Sequence, residues 1–211
     1  DVTGTITVSD ISTMAAARLR ARSYLNMDPS AILTGNRVEL YSKMVIPSDD
    51  YTATETHIAG LITLADDWDH AMPHLVIDAG KYLQVNGKAM VLDGDFTQSL
   101  TTASYGLQMH QATSDVTITG DATFGGSGTM SSGTLANGIV RVAGDFTVSA
   151  PYVFRPNGAR IELNGTDPQD VTFTHSGTPY SWFHHLRVNN STTVDIVATS
   201  TTTLQVNPSL K

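Results

Sequence analysis

The densest group of side chains able to do chemistry is Asp66-Asp67-Trp68-Asp69-His70, followed closely by His74. Carboxylates are ligands for Ca²⁺, and imidazoles for transition ions. Asp67, Asp69 and His70 therefore form the candidate metal set. Trp68 offers an indole on which a sugar ring could stack. His70 and His74 are four residues apart, which brings two imidazoles together only on a helix, and Pro73 argues against a helix there. A solvated acidic loop would carry the same residues.

A second group is cationic. Arg18, Arg20 and Arg22 alternate with Leu19, Ala21 and Ser23. A period of two places all three arginines on one face of a strand, whereas a helix would scatter them. Guanidinium groups pair bidentately with carboxylate and phosphate, so this stripe is a candidate for an anionic polysaccharide or a lipopolysaccharide. Glu39, further along the chain, is an internal partner that could occupy the same arginines.

A third group recurs. Gly94-Asp95-Phe96-Thr97 returns as Gly144-Asp145-Phe146-Thr147, with a looser copy at Gly120-Asp121-Ala122-Thr123. Acids aligned on successive repeats, with Asp93 beside the first, could hold Ca²⁺. Gly followed by Asp is also turn chemistry, since Gly accepts positive φ and Asp bonds to its own backbone. His184 and His185 follow Trp182 and Phe183; strand alternation sends one histidine outward and one inward, with Phe183 in the core. Thr52, Thr54 and Thr56, then Thr117 and Thr119, then Thr172 and Thr174 resemble the hydroxyl ladders of ice-binding solenoids, but their flanking residues differ, which argues against a regular array. The sequons Asn164-Gly165-Thr166 and Asn190-Ser191-Thr192 read as turns. The chain has no nucleophile elbow, phosphate loop or zincin helix. A carboxylate pair for glycoside cleavage is defined by a separation in space, so spacing alone does not assign one.

Composition narrows the classes. The chain has 211 residues, 40% of them hydrophobic and only 15% charged. That is enough apolar content for a core, with Thr and Ser filling the polar role in place of charge. A net charge of −8 argues against a nucleic-acid binder, which needs a basic footprint. With no cysteine, thiolate metal sites, Cys nucleophiles and disulfides are excluded. No run approaches the roughly 20 apolar residues of a membrane-spanning helix. Low lysine content, abundant Thr, Ser, Asn and Gly, and internal repetition together favour a secreted bacterial protein over a cytosolic enzyme. A start at Asp1 suggests a processed chain or a piece of a longer one.

Short strands must position these groups. From Leu75 onward, runs of three to five residues such as Tyr82–Val85, Ala89–Leu92, Ile139–Val142 and Arg160–Leu163 alternate apolar and polar residues between Gly, Asn, Asp or Ser breaks. Helical periodicity is missing there. Asp66–Pro73 reads as a protruding loop. The Gly-Asp steps begin at Gly94, Gly120 and Gly144, an interval of about 25 residues. Leu19, Val38 and Ile58 follow one another at about 20 residues. Such periods fit a solenoid, in which stacked rungs bury a continuous core that no rung could bury alone. The fold expected is all-β: a single-stranded parallel β-helix with rungs of about 19–26 residues. It spans residues 1–211 as one domain, with less regular rungs over 1–73 and regular ones over 74–211. A β-sandwich is the alternative; it has no reason to repeat Gly-Asp-Phe-Thr.

The segment Val-x-Gly-Asp-Phe-Thr at 142–147, with Ile161-Glu-Leu-Asn-Gly-Thr166, Gln169-Asp-Val-Thr-Phe173 and Phe183-His-His-Leu-Arg-Val-Asn-Asn-Ser191, resembles the β-helix repeats of large bacterial extracellular and surface proteins, adhesin-like solenoids. The resemblance covers about Leu75 to the end. It implies a secreted or cell-surface protein of several domains and carries no catalytic content. The expected function is a structural or adhesive solenoid segment, not an enzyme, able to join end to end, with other copies, flanking domains or polysaccharide as partners. No cofactor is expected, Ca²⁺ at the acidic loop being the one exception the residues allow. The alternatives are a carbohydrate-active β-helix (a lyase, a hydrolase or a tail-spike-like depolymerase), a glycan-binding module and, more remotely, an ice-binding protein.

Overall fold

The computed structural model describes residues 6–8, 13–22, 25–27, 32–42, 44–45, 51–68, 72–101, 105–131, 133–175, 180–198 and 206–210. Asp69 and His70 of the expected metal set, and the turn at Asp28-Pro29, lie outside them. Among the described residues every regular element is a strand, and every strand pairing is parallel. The fold is the expected β-solenoid. No helix of the described residues is long and apolar enough to cross a membrane.

Four sheets run along the stack. The longest has nine strands in chain order: Thr13–Ala21, Ile32–Leu40, Tyr51–Ile58, His74–Ile77, Asp95–Leu100, Ala122–Gly126, Phe146–Val148, Gln169–Phe173 and Val194–Ala198. A six-stranded sheet holds Ala89–Leu92, Asp115–Ile118, Ile139–Val142, Arg160–Leu163, Phe183–Val188 and Val206–Leu210. Two three-stranded sheets complete it, one from Ile6–Val8, Leu25–Met27 and Met44–Val45, the other from Leu61–Thr63, Tyr82–Gln84 and Gly106–Gln108.

One inward column of the nine-stranded sheet runs Leu19, Val38, Thr56, Leu75, Phe96, Ala122, Phe146, Val171, Ile196. The step from Val38 to Thr56 is shorter than the step from Phe96 to Ala122, so the later rungs are the longer ones. Val38 pairs with Thr56, and Ile58 pairs with Leu40 instead. The expected partnership of Val38 with Ile58 is thus displaced by two residues; a slip of two keeps the same face inward, so alternation alone does not decide between them.

The Gly-Asp-Phe-Thr segments are strand as well as turn. Gly144 and Asp145 make the corner after Ile139–Val142, and Phe146–Val148 at once joins the long sheet. The glycines stack: Gly120 N–H donates to the Gly94 carbonyl at 3.0 Å and Gly144 N–H to that of Gly120 at 2.9 Å. A Cβ on Gly120 would run into the Asp95 carboxylate, and one on Gly144 into that of Asp121. Close approach of successive rungs is therefore what requires glycine at the corner.

Phenylalanine fills the interior. All six, Phe96, Phe124, Phe146, Phe154, Phe173 and Phe183, are buried. They form one continuous network, with Phe146 packed against Phe124, Phe154, Phe173 and Phe183 at ring-centroid distances of 5.3, 5.0, 6.2 and 5.1 Å. Burying each ring contributes on the order of 2–3 kcal/mol, with tilted and edge contacts adding to it. Buried Gln169 ties two rungs together. Its amide donates to the carbonyls of Val142 at 3.0 Å and Gly144 at 2.6 Å, and its oxygen accepts from Gly165 N–H and Asn190 Nδ2.

Candidate functional site

The arginine stripe faces outward as the alternation predicts, and Arg18 and Arg20 hydrogen-bond within the protein. Glu39, on the next rung, is 2% exposed. Arg18 Nε donates to it at 2.8 Å, Arg20 Nε at 2.9 Å and Arg37 Nε at 2.8 Å, with Tyr41 Oη at 3.3 Å. Arg22 lies over the Tyr41 ring, 5.1 Å from its centroid. Burial alone would raise the Glu39 pKa; the hydrogen bonds from Arg18, Arg37 and Arg20 outweigh it and lower the pKa from 4.5 to about 2. The internal alternative for these arginines is the one the geometry realises.

Of the acidic segment, the described residues are Asp66, Asp67 and Trp68, and Trp68 does not sit on a protruding loop. Trp68 is 4% exposed and bridges to Met90 as a further rung of the six-stranded sheet. Its N–H donates to the Ala89 carbonyl and its carbonyl accepts from Val91, both at 2.7 Å. The indole therefore lies in the core and has no face free for a sugar ring. Asp67 caps the same bridge, its carboxylate accepting from Ala89 N–H at 2.9 Å. No group of three or more metal-ligating side chains is assembled among the described residues.

On the long sheet the recurring Asp and Thr form two outward ladders. Asp121 N–H donates to the Asp95 carboxylate at 2.9 Å, Asp145 N–H to that of Asp121 at 2.8 Å, and Asp170 N–H to that of Asp145 at 2.8 Å. Two residues on, Thr97, Thr123, Thr147 and Thr172 lie in register on four successive rungs. A regular threonine column thus exists, contrary to the expectation from flanking residues. Of the threonines compared in the sequence, Thr172 belongs to it, whereas Thr117 sits on the six-stranded sheet between Val91 and Arg141. Thr97, Thr123 and Thr147 close the three Gly-Asp copies, so that recurrence itself aligns them, and Thr172 extends the column by one rung.

The six-stranded sheet holds a site that the sequence reading missed. Thr117, Arg141, Glu162 and Arg187 stand in one outward column, with Asp115, Ile139, Arg160 and His185 in the next. Three guanidiniums surround Glu162: Arg160 and Arg187 at 3.6 Å and Arg141 at 4.0 Å. Arg141 also pairs with Asp115. Beside this cluster a groove of about 750 Å³ is lined by Asn137, Gly138, Gly158, Arg160, His185 and Arg187, among others. Gly138 has φ +88, and a Cβ there would meet the Ser114 carbonyl, so the floor must be glycine.

One wall departs from strict alternation. Phe183 and Leu186 are both buried with two residues between them, so His184 and His185 are both half-buried rather than one in and one out. Against Val206–Leu210 the register shifts between Phe183 and His185, with the extra residue on the Val206–Leu210 strand. The rings of His184 and His185 meet edge to face at 4.5 Å. Burial, and then the neighbouring His185, lower the His184 pKa below the ordinary histidine value. No family model, curated protein or solved structure matches the chain.

Proposed function

We propose that the chain is a structural and adhesive β-solenoid: a rigid segment of a secreted or cell-surface bacterial assembly that presents its outer faces for binding. The observation that supports this reading is the unbroken ladder of nine parallel strands over a continuous apolar core, filled by phenylalanine from Phe96 onward. At about 4.8 Å per rung, nine strands make a stiff element roughly 40 Å long. The first and last strands, Thr13–Ala21 and Val194–Ala198, each have a partner on one side only among the described strands. Ile196, in register with core Val171, is 53% exposed. Unpaired strand edges and an open core end suit a neighbouring copy or a flanking domain.

The test combines two measurements. Sedimentation velocity over a wide concentration range should show growth by end-to-end association, and this growth should weaken when Ile196 and Val197 are replaced by lysine. The protein should also adhere to immobilised polysaccharide without consuming it. New reducing ends or unsaturated products on a polysaccharide panel would overturn the reading in favour of a carbohydrate-active β-helix.

A further inference from the structure

We infer that the groove beside Glu162 binds an acidic saccharide, with a uronate carboxylate held by Arg160 and Arg187 and sugar hydroxyls by Asn137 and His185. This deepens the adhesive reading above and rests on it. The argument begins from two clusters of the same composition, each with three arginines around one glutamate. At Glu39 the guanidinium nitrogens approach to 2.8 and 2.9 Å, which are true hydrogen bonds. At Glu162 they stand off at 3.6 and 4.0 Å. That is close enough for attraction and too far for a hydrogen bond, so donors of Arg160 and Arg187 remain to be used. Arg160 Nε is buried without a hydrogen-bond partner. Arg187 is 47% exposed and Arg160 41%.

Charge counting selects the ligand. Arg141, Arg160 and Arg187 face Asp115 and Glu162, which leaves one positive charge in excess. A single carboxylate balances it, and its two oxygens match the planar guanidinium fork. The rest of the protein is acidic, with a net charge of −8, so a densely charged polyanion such as nucleic acid would be repelled outside this strip. Hydroxyl partners line the same groove. Asn137 spends its amide N–H on the His110 carbonyl at 2.9 Å, which orients its side-chain oxygen as an acceptor. His185, in register with Arg160, lines the groove beside it. A groove of about 750 Å³ accommodates a short oligosaccharide.

Titration calorimetry with trigalacturonate, its methyl ester, a sulfated oligosaccharide of equal length and inorganic phosphate tests this. Trigalacturonate should bind, and the methyl ester should bind at least about tenfold more weakly, the order expected for loss of a charge-assisted hydrogen bond. Arg187→Gln should weaken trigalacturonate binding about tenfold, while Arg20→Gln, in the closed cluster, should bind like the parent. Should Arg187→Gln fail to fold by circular dichroism, the methyl-ester comparison on the unaltered protein decides. No binding of trigalacturonate, equal binding of the ester, equal binding of sulfate or phosphate, or an equal loss in Arg20→Gln would each overturn the site. Cleavage of trigalacturonate during the titration would instead overturn the non-enzymatic reading and leave the site in place.

Discussion

The backbone N–H of Asp145 donates to the carboxylate of Asp121, one rung earlier, at 2.8 Å. The same bond links Asp121 to Asp95 and Asp170 to Asp145. Each aspartate thus caps the corner of the following rung, which is why Asp recurs after Gly. Asp121→Ala leaves the Asp145 N–H to water and should cost about 1 kcal/mol in urea unfolding, with Asp121→Asn recovering part of it.

Phe146 joins four other phenylalanines. Phe146→Ala should destabilise the fold by about 3–5 kcal/mol, and Phe146→Leu by less than half of that, in equilibrium denaturation. A smaller loss in Phe146→Ala would show that the neighbouring rings collapse into the space.

Gly144→Ala places a methyl group against the Asp121 carboxylate and the Gly120 backbone. Neither can yield without breaking the rung-to-rung bonds there. The substitution should lower the melting temperature by several degrees, corresponding to about 2 kcal/mol or more. Gly133→Ala, where nothing lies within 4 Å of the added carbon, is the matched control and should be close to neutral.

Glu39 links stability to pH. Its folded pKa, about 2, lies below the ordinary value of 4.5, so its contribution is present in full above about pH 4.5 and is lost as the pH falls toward 2. Melting temperatures measured from pH 6 to pH 2 should fall more steeply for the parent than for Glu39→Gln. At pH 7 that variant should itself be less stable by roughly 1–3 kcal/mol, since three arginines lose a charged acceptor.

Glu162 competes with any carboxylate entering the groove. Glu162→Gln removes one negative charge while keeping the side-chain shape. Trigalacturonate binding should tighten by roughly fivefold, the equivalent of about 1 kcal/mol. Unchanged affinity would mean that Arg160 and Arg187 are already fully available.

Much of the architecture is legible in the residues themselves. Alternation around Leu19 and Ala21 set the arginines on the outer face. The recurrence of Gly-Asp-Phe-Thr marks the solenoid, because glycine, aspartate and phenylalanine each meet a requirement that every rung repeats: close approach, a corner acceptor and a core ring. Trp68 misled for a local reason. Its acidic neighbours suggest a solvated loop, but its burial follows from pairing with Met90 on the next rung.

Composition, alternation and recurrence determined that this chain forms stacked parallel strands with arginine, aspartate and threonine outside. Tertiary structure alone decided which side chains meet. Rungs vary in length because their connections absorb insertions, so counting along the chain does not show that Arg187 stands over Glu162. Nor does counting distinguish a glutamate clasped at hydrogen-bonding distance from one whose arginines stand further off. That difference in side-chain distance separates the closed cluster from the open groove.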